Sequence, residues 1–139
     1  MYVLDTDHLS EIISESGTGK LLAERLERLD ADVATSIVAF EELLRGWLAK
    51  IHHHPKPRNQ VSAYRRLDRL LGSFASWDVL SWDDECVEVL ERLIKQRVNV
   101  KPMDLKIAAI VLSRNALLLS KNLTAFGQVA GLQVEDWTS

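Results

Sequence analysis

Two aspartates one residue apart, Asp5 and Asp7, stand directly after the apolar run Tyr2-Val3-Leu4 and before a helix-like pattern in Leu9, Ile12 and Ile13. An apolar run of strand formers that ends abruptly in acids reads as a buried strand delivering carboxylates to a sheet edge. In an open α/β sheet, ligands bind outside the carboxyl ends of the strands, so Asp5 is the first candidate site residue; Asp7 serves equally well as a helix cap. Two more acids occupy comparable places. Glu42 lies on an amphipathic helix, and Asp104 opens a helix that is apolar on nearly every side, while Asn122 adds an amide after a later strand. Carboxylates crowded without a cation repel and raise one another's pKa, so such a cluster predicts a bound ion. Oxygen donors, with no paired cysteine, favour Mg2+ or Mn2+ over zinc. Such an ion beside a basic rim suits phosphodiester hydrolysis, because it orients water, lowers its pKa and stabilises charge on the scissile phosphate.

Other polar clusters read more simply. Asp83 and Asp84 after Trp82 complement the dipole of a helix start. His52-His53-His54 before Pro55 are consecutive and point different ways, which suits a helix-ending loop better than a metal site. Cys86 is the only cysteine, so no internal bridge forms and a reducing compartment is expected.

The elements that must position these groups follow from the hydrophobic pattern. The opening strand is followed by a helix over 7–14, a loop at Gly17-Thr18-Gly19, and a second helix through Leu21, Leu22, Leu26 and Leu29. Val33-Ala34-Thr35 is a second strand, with Ser36 as N-cap of a helix carrying Glu42 that the 52–57 segment halts. From Asn59 a further helix, with Arg65, Arg66 and Arg69 interleaved, completes a helical hairpin projecting from the sheet. Asp78-Val79-Leu80, Leu117-Leu118-Leu119 and a segment ending near Glu135 are the remaining strands, separated by helices after Trp82 and after Lys101-Pro102. Short strands alternating with helices predict a single α/β domain over 1–139, doubly wound, with a short central parallel sheet and helices on both faces.

A chain of 139 residues buries about two-thirds of the surface its unfolded form exposes. No apolar run approaches the roughly 18 residues of a membrane span, and no basic leader precedes the first strand, so a cytoplasmic protein is expected. The net charge of −3 argues against wholesale attraction to nucleic acid. Charge is uneven, however. Arg45, Lys50, Lys56, Arg58, Arg65, Arg66 and Arg69 stand against Asp68 alone between positions 45 and 69. That polarity, a basic rim beside an acidic centre, is the one a nuclease needs.

Several segments, in order along the chain, resemble those of PIN-domain ribonucleases of the VapC toxin type. They are Leu4-Asp5-Thr6-Asp7-His8-Leu9-Ser10, Ser36 to Gly46 with Glu42-Leu43-Leu44-Arg45-Gly46 inside it, Met103-Asp104-Leu105-Lys106-Ile107-Ala108-Ala109, Leu119-Ser120-Lys121-Asn122 to Phe126, and Gly131 to Trp137. The resemblance implies a PIN-like fold and a toxin that cleaves RNA with Mg2+ or Mn2+, is silenced by a VapB-like antitoxin, and forms a homodimer. It implies Asp5 as the central metal ligand, with Asp104 and Glu42 beside it and Asn122 completing the catalytic set. Thr6 and Ser120 match small hydroxyl positions that, with Asp7, hold water or the ligands themselves. Arg45, Lys50, Arg65 and Arg69 are the expected RNA-contacting rim. Leu21, Leu22 and Leu26 with Trp47, Leu48 and Ile51 are candidates for a groove that takes an antitoxin helix, although the same residues serve as ordinary core.

The chain departs from the family pattern twice. Ala39 replaces a threonine, at the expense of a local hydrogen bond. Ala125 replaces the acid before Phe126, which leaves three acids and a poor second ion site. Two other readings follow: a degenerate PIN domain that binds RNA or antitoxin without cutting, and an Asp-x-Asp phosphatase built on Asp5 and Asp7, for which the late acid pair is missing.

Overall fold

Five short strands carry the architecture of the computed structural model, which describes all residues from Met1 to Ser139. Strands β1 (Tyr2–Leu4), β2 (Val33–Ser36), β3 (Val79–Leu80), β4 (Leu117–Leu119) and β5 (Gln133–Glu135) form one parallel sheet in the order β3-β2-β1-β4-β5. Helices α1 (Thr6–Ile13), α2 (Gly17–Arg28), α3 (Ile37–His53), α4 (Val61–Ser76), α5 (Asp84–Lys95), α6 (Pro102–Ser113) and α7 (Leu123–Phe126) connect them, with a 3-10 turn at Pro57–Gln60 between α3 and α4.

Alternation along the strands sorts the core into two layers. Val3, Ala34 and Leu118 face a cluster containing Leu93 of α5, Ile107, Ile110 and Val111 of α6, and Phe126. Leu4 and Leu119 face the other way, onto Leu9 of α1 and Leu22 and Leu26 of α2. A sheet covered on both faces is the doubly wound α/β fold expected from the sequence. The chain proceeds from β1 outward to β3 and then returns to place β4 on the far side of β1, so the topology switches between β1 and β4. Leu4 pairs with Thr35 and with Leu119. Asp5, Ser36 and Ser120 are therefore the next residues along at one sheet edge.

One local expectation needs correction. Gly17-Thr18-Gly19 is the first turn of α2 instead of a loop, because the Ser16 side chain caps the helix by accepting from Gly19 N–H at 2.9 Å. The helix carrying Glu42 is halted within the 52–57 segment as expected: it runs through His53 and stops at His54, whose extended backbone is what the following Pro55 demands. Residues after Asn122 form the short helix α7, capped by the Asn122 side chain. The helical hairpin is present: α3 and α4 pack together through an edge-to-face contact of Phe40 and Phe74, ring centroids 4.8 Å apart. No helix is long and apolar enough to cross a membrane.

Gly19 is buried, and a Cβ there would collide with the backbone carbonyl of Glu11 in α1. Gly19→Ala is expected to cost about 1–3 kcal/mol by overpacking a backbone contact that cannot yield. Gly17→Ala, which meets open space, is expected to leave stability unchanged. Urea denaturation midpoints of the two variants measure the difference.

Candidate functional site

The Asp5 carboxylate sits where β1 becomes α1, only 7% exposed, and its two oxygens are held differently. Oδ1 accepts the Thr6 N–H at 2.8 Å as the cap of α1, and Oδ2 accepts the Ser120 hydroxyl at 2.7 Å from the end of β4. Burial raises the Asp5 pKa to about 6; the charges of Asp7 and Asp104 add to the rise, and the bonds from Ser120 and Thr6 oppose it.

Glu42 reaches the same neighbourhood from the second turn of α3. Desolvation, then the charges of Asp5 and Asp104, push its pKa to about 7. Its Oε1 is buried without a hydrogen-bond partner, as is Thr6 Oγ1; Thr6 lies near enough to stabilise the Glu42 carboxylate weakly without a hydrogen bond of standard geometry. Asp104, half-buried in the first turn of α6, is raised by desolvation and by Asp7, against the pull of Lys101. The Asn122 amide donates to Asp104 Oδ2 at 3.5 Å, a long bond, and Asn122 N–H donates to Ser120 Oγ at 3.1 Å. The three acids singled out from the sequence thus occupy one electrostatic neighbourhood, with Asn122 beside them. They do not close on a common point: no three His, Cys, Asp or Glu side chains form a ready metal cage. The donors nevertheless fit a hard divalent cation. All are oxygens, all three carboxylates are poor at holding charge unaided, and one buried oxygen lacks a partner.

Asp7 behaves oppositely. Burial pushes its pKa up, but bonds from the His8 ring and Lys121 N–H outweigh it and hold the group below the ordinary range. Both oxygens are occupied, Oδ1 by His8 Nδ1 at 2.7 Å and Oδ2 by Lys121 N–H at 3.0 Å. An acid so engaged is a brace between β1–α1 and β4–α7, and it is poorly placed for the acid/base role of a phosphatase. Asp83 caps α5 and pairs with Arg114 at 3.1 Å, in agreement with the structural reading of that acid.

The basic residues fall into two settings. Arg45 is tied to Glu41 at 2.6 Å, and Lys50 lies over the Trp47 ring at 4.2 Å. Arg65 and Arg69 line a hollow on α4 together with Arg58 and Arg66, and none of the four has a carboxylate partner. Arg66 and Arg69 also line a trough of roughly 600 Å3 between α1, α3 and α4, floored by Ile13, Leu43, Trp47 and Leu70, with Glu15 at its wall. Of the residues considered for an apolar groove, Leu22, Leu26 and Ile51 are core, Trp47 is half-buried in the trough, and Leu21 and Leu48 are exposed. The basic run at 45–69 contains Arg58 and Arg66, but the sequence does not say which of its arginines lack acids. His8, fully buried, carries no sequence signal that separates it from its apolar helix face.

Carboxyl groups whose folded pKa is raised bind more protons folded than unfolded, so their contribution favours folding at low pH and is lost as pH rises. For Asp5 that window runs from 3.8 to about 6, and for Glu42 from 4.5 to about 7. Metal-free protein is expected to lose thermal stability across this range, and Asp5→Asn or Glu42→Gln to flatten the loss. A melting temperature series from pH 4.5 to 7.5 in chelator checks both.

Comparison with known proteins places this geometry in a family. The PIN domain model matches residues 2–132. Ribonuclease VapC1 of Haemophilus influenzae is 24% identical over 146 residues, covering 99% of this chain and 98% of the relative. Among solved structures, VapBC-1 from nontypeable Haemophilus influenzae superposes with a TM-score of 0.74 at 25% identity, covering 99% of this chain and 98% of that one. DNA-bound VapBC from Salmonella typhimurium gives 0.75 at 22% identity, covering 98% and 97%. With the match running across the first four strands and all seven helices, this chain belongs to the PIN domain family.

Proposed function

We propose that this protein is a divalent-metal-dependent endoribonuclease, a cytoplasmic toxin of the VapC type that a VapB-like antitoxin holds inactive. The observation that carries the reading is the juxtaposition of Asp5, Glu42 and Asp104 at the switch between β1 and β4, with two of the three pKa values raised to about 6 and 7. The relative named as a ribonuclease and the neighbours solved as VapBC complexes support it.

In this mechanism Asp5 and Asp104 would hold a Mg2+ or Mn2+ ion, with Glu42 beside them. When bound, the ion supplies charge for the scissile phosphate and acidifies the attacking water. The chain's own groups do the rest. Ser120 fixes the Asp5 carboxylate through Oδ2, and Asn122 donates to Asp104. Glu42, with an unpartnered buried oxygen, orients the water and accepts its proton. Arg58, Arg65, Arg66 and Arg69 bind backbone phosphates of the RNA outside the cleavage point, since unpaired guanidinium groups are free to make bidentate contacts. A partner helix with apolar anchors and acidic ends suits the trough floored by Leu43 and Trp47, and a homodimer belongs to the same reading.

One position favours a weaker variant of this function. Ala125 lies on α7, one turn beyond Asn122, and donates its N–H to Asn122 Oδ1 at 3.4 Å; its methyl group offers no ligand. The degenerate form, a binder with little cleavage, differs from the nuclease only in turnover.

Purified protein is expected to cleave single-stranded RNA with Mn2+ and not in chelator, and Asp5→Asn or Asp104→Asn to reduce cleavage at least 100-fold, since one ligand of few is lost. Binding without cleavage in wild type would establish the degenerate form. Ala125→Asp is expected to tighten Mn2+ binding about tenfold or more, as read by calorimetry. In the Asp5→Asn background, replacing Arg65 and Arg69 by alanine is expected to lower the slope of log affinity against log salt by about 1.4, at about 0.7 per phosphate contact on a single strand.

A further inference from the structure

We propose that His8 is a positioning residue for the metal centre, through which the C-terminal tail fixes the orientation of Asp7, Ser120 and Asp5. This rests on the nuclease reading for its functional consequence and on geometry alone for the hydrogen-bond chain.

The His8 ring is fully buried, so both of its nitrogens need partners inside the protein. Nε2 lies 3.0 Å from the backbone N–H of Trp137. An amide N–H only donates, so Nε2 must accept, and the ring proton sits on Nδ1. Nδ1 in turn lies 2.7 Å from Asp7 Oδ1, an acceptor. Asp136 does not compete for Nε2: its Oδ1 is 3.6 Å away and already accepts the Thr138 N–H and hydroxyl. The tail therefore selects the tautomer, and the tautomer makes His8 a donor to Asp7.

From Asp7 the chain reaches the acids. Its Oδ2 takes Lys121 N–H at 3.0 Å and lies 3.3 Å from Ser120 Oγ, while the same hydroxyl sits 2.7 Å from Asp5 Oδ2. Ser120 has one proton and two carboxylates in reach. It donates to Asp5 as long as Asp7 is satisfied by His8 and Lys121. Without the Nδ1–H, Asp7 is free to turn and draw the Ser120 proton from Asp5, loosening both junctions. The far end of the chain is well anchored. The Trp137 ring packs on Tyr2 at 4.9 Å, carries the Arg25 guanidinium 3.7 Å above it, and donates its indole N–H to Glu135 at 2.9 Å.

Two measurements on the full chain test this. In 15N-labelled, metal-free protein, the buried imidazole is expected to show a protonated Nδ1 and an unprotonated Nε2; the opposite tautomer overturns the chain whatever the activity. For function, His8→Asn keeps an amide donor near the Nδ1 position, whereas His8→Gln places its amide near Nε2. The Gln variant is expected to lose 10–100-fold in kcat with KM for RNA changed less than about twofold, and the Asn variant to recover most of the loss. Both variants lose the ring's packing, so a purely structural role lowers melting temperature and kcat alike in the two. Equal losses, or none, in an active wild type overturn the inference. A wild type inactive with Mn2+ instead overturns the nuclease reading and leaves the tautomer result to decide the chain.

Discussion

Three carboxylates held at one edge of a mostly buried sheet cannot all carry full charge and stay dry, and the rest of this structure is arranged around that conflict. Burial is the largest influence on Asp5, Glu42 and Asp104 alike, and mutual repulsion adds to it for Asp5 and Glu42. A protein gains nothing in stability from such an arrangement without a cation, so its persistence points to function. The parallel sheet makes the arrangement possible: β1 and β4, side by side at the topological switch, bring residues 115 apart in sequence within a 2.7 Å hydrogen bond.

Around this centre the supporting contacts divide in two. Backbone and hydroxyl donors from Thr6 and Ser120 partly offset the cost of burying Asp5. A second layer, Asp7 with His8 and Lys121, joins the two strand ends and has no need of a cation, since its own donors suffice. The contrast between Asp5, raised, and Asp7, lowered, two residues apart, is set by partners and not by residue type. Further out, the arginines without carboxylate partners on α4 and the turn before it give a chain of net charge −3 a local basic face.

Much of this was legible in the sequence because the signals are short-range. Tyr2-Val3-Leu4 followed by acids marks a strand end, Ser36 marks a cap, and the apolar run after Pro102 marks a buried helix, which together set the fold and gather Asp5, Glu42, Asp104 and Asn122. What failed depended on contacts that periodicity does not carry. Gly17 and Gly19 suggest a turn, but the close approach of α1 and α2 makes a small residue necessary inside a helix. Arg45 looks as available as Arg65 until Glu41 is seen one turn away and in contact. His8 gains its meaning only from an amide 129 residues later. The likeness of Asn122 to a site residue hid its second task as cap of α7.

Burial and neighbouring carboxylates raise Asp5 to about 6 and Glu42 to about 7, so a cation taken up at this centre must displace protons from them. Calorimetric titration with Mn2+ at pH 6.5 in two buffers of different ionisation enthalpy counts the protons released on binding. With pKa values of about 6 and 7, roughly one proton per ion is expected to leave, and Asp5→Asn should abolish or greatly weaken binding. Tight Mn2+ binding with no proton release, or binding indifferent to Asp5→Asn, would contradict it.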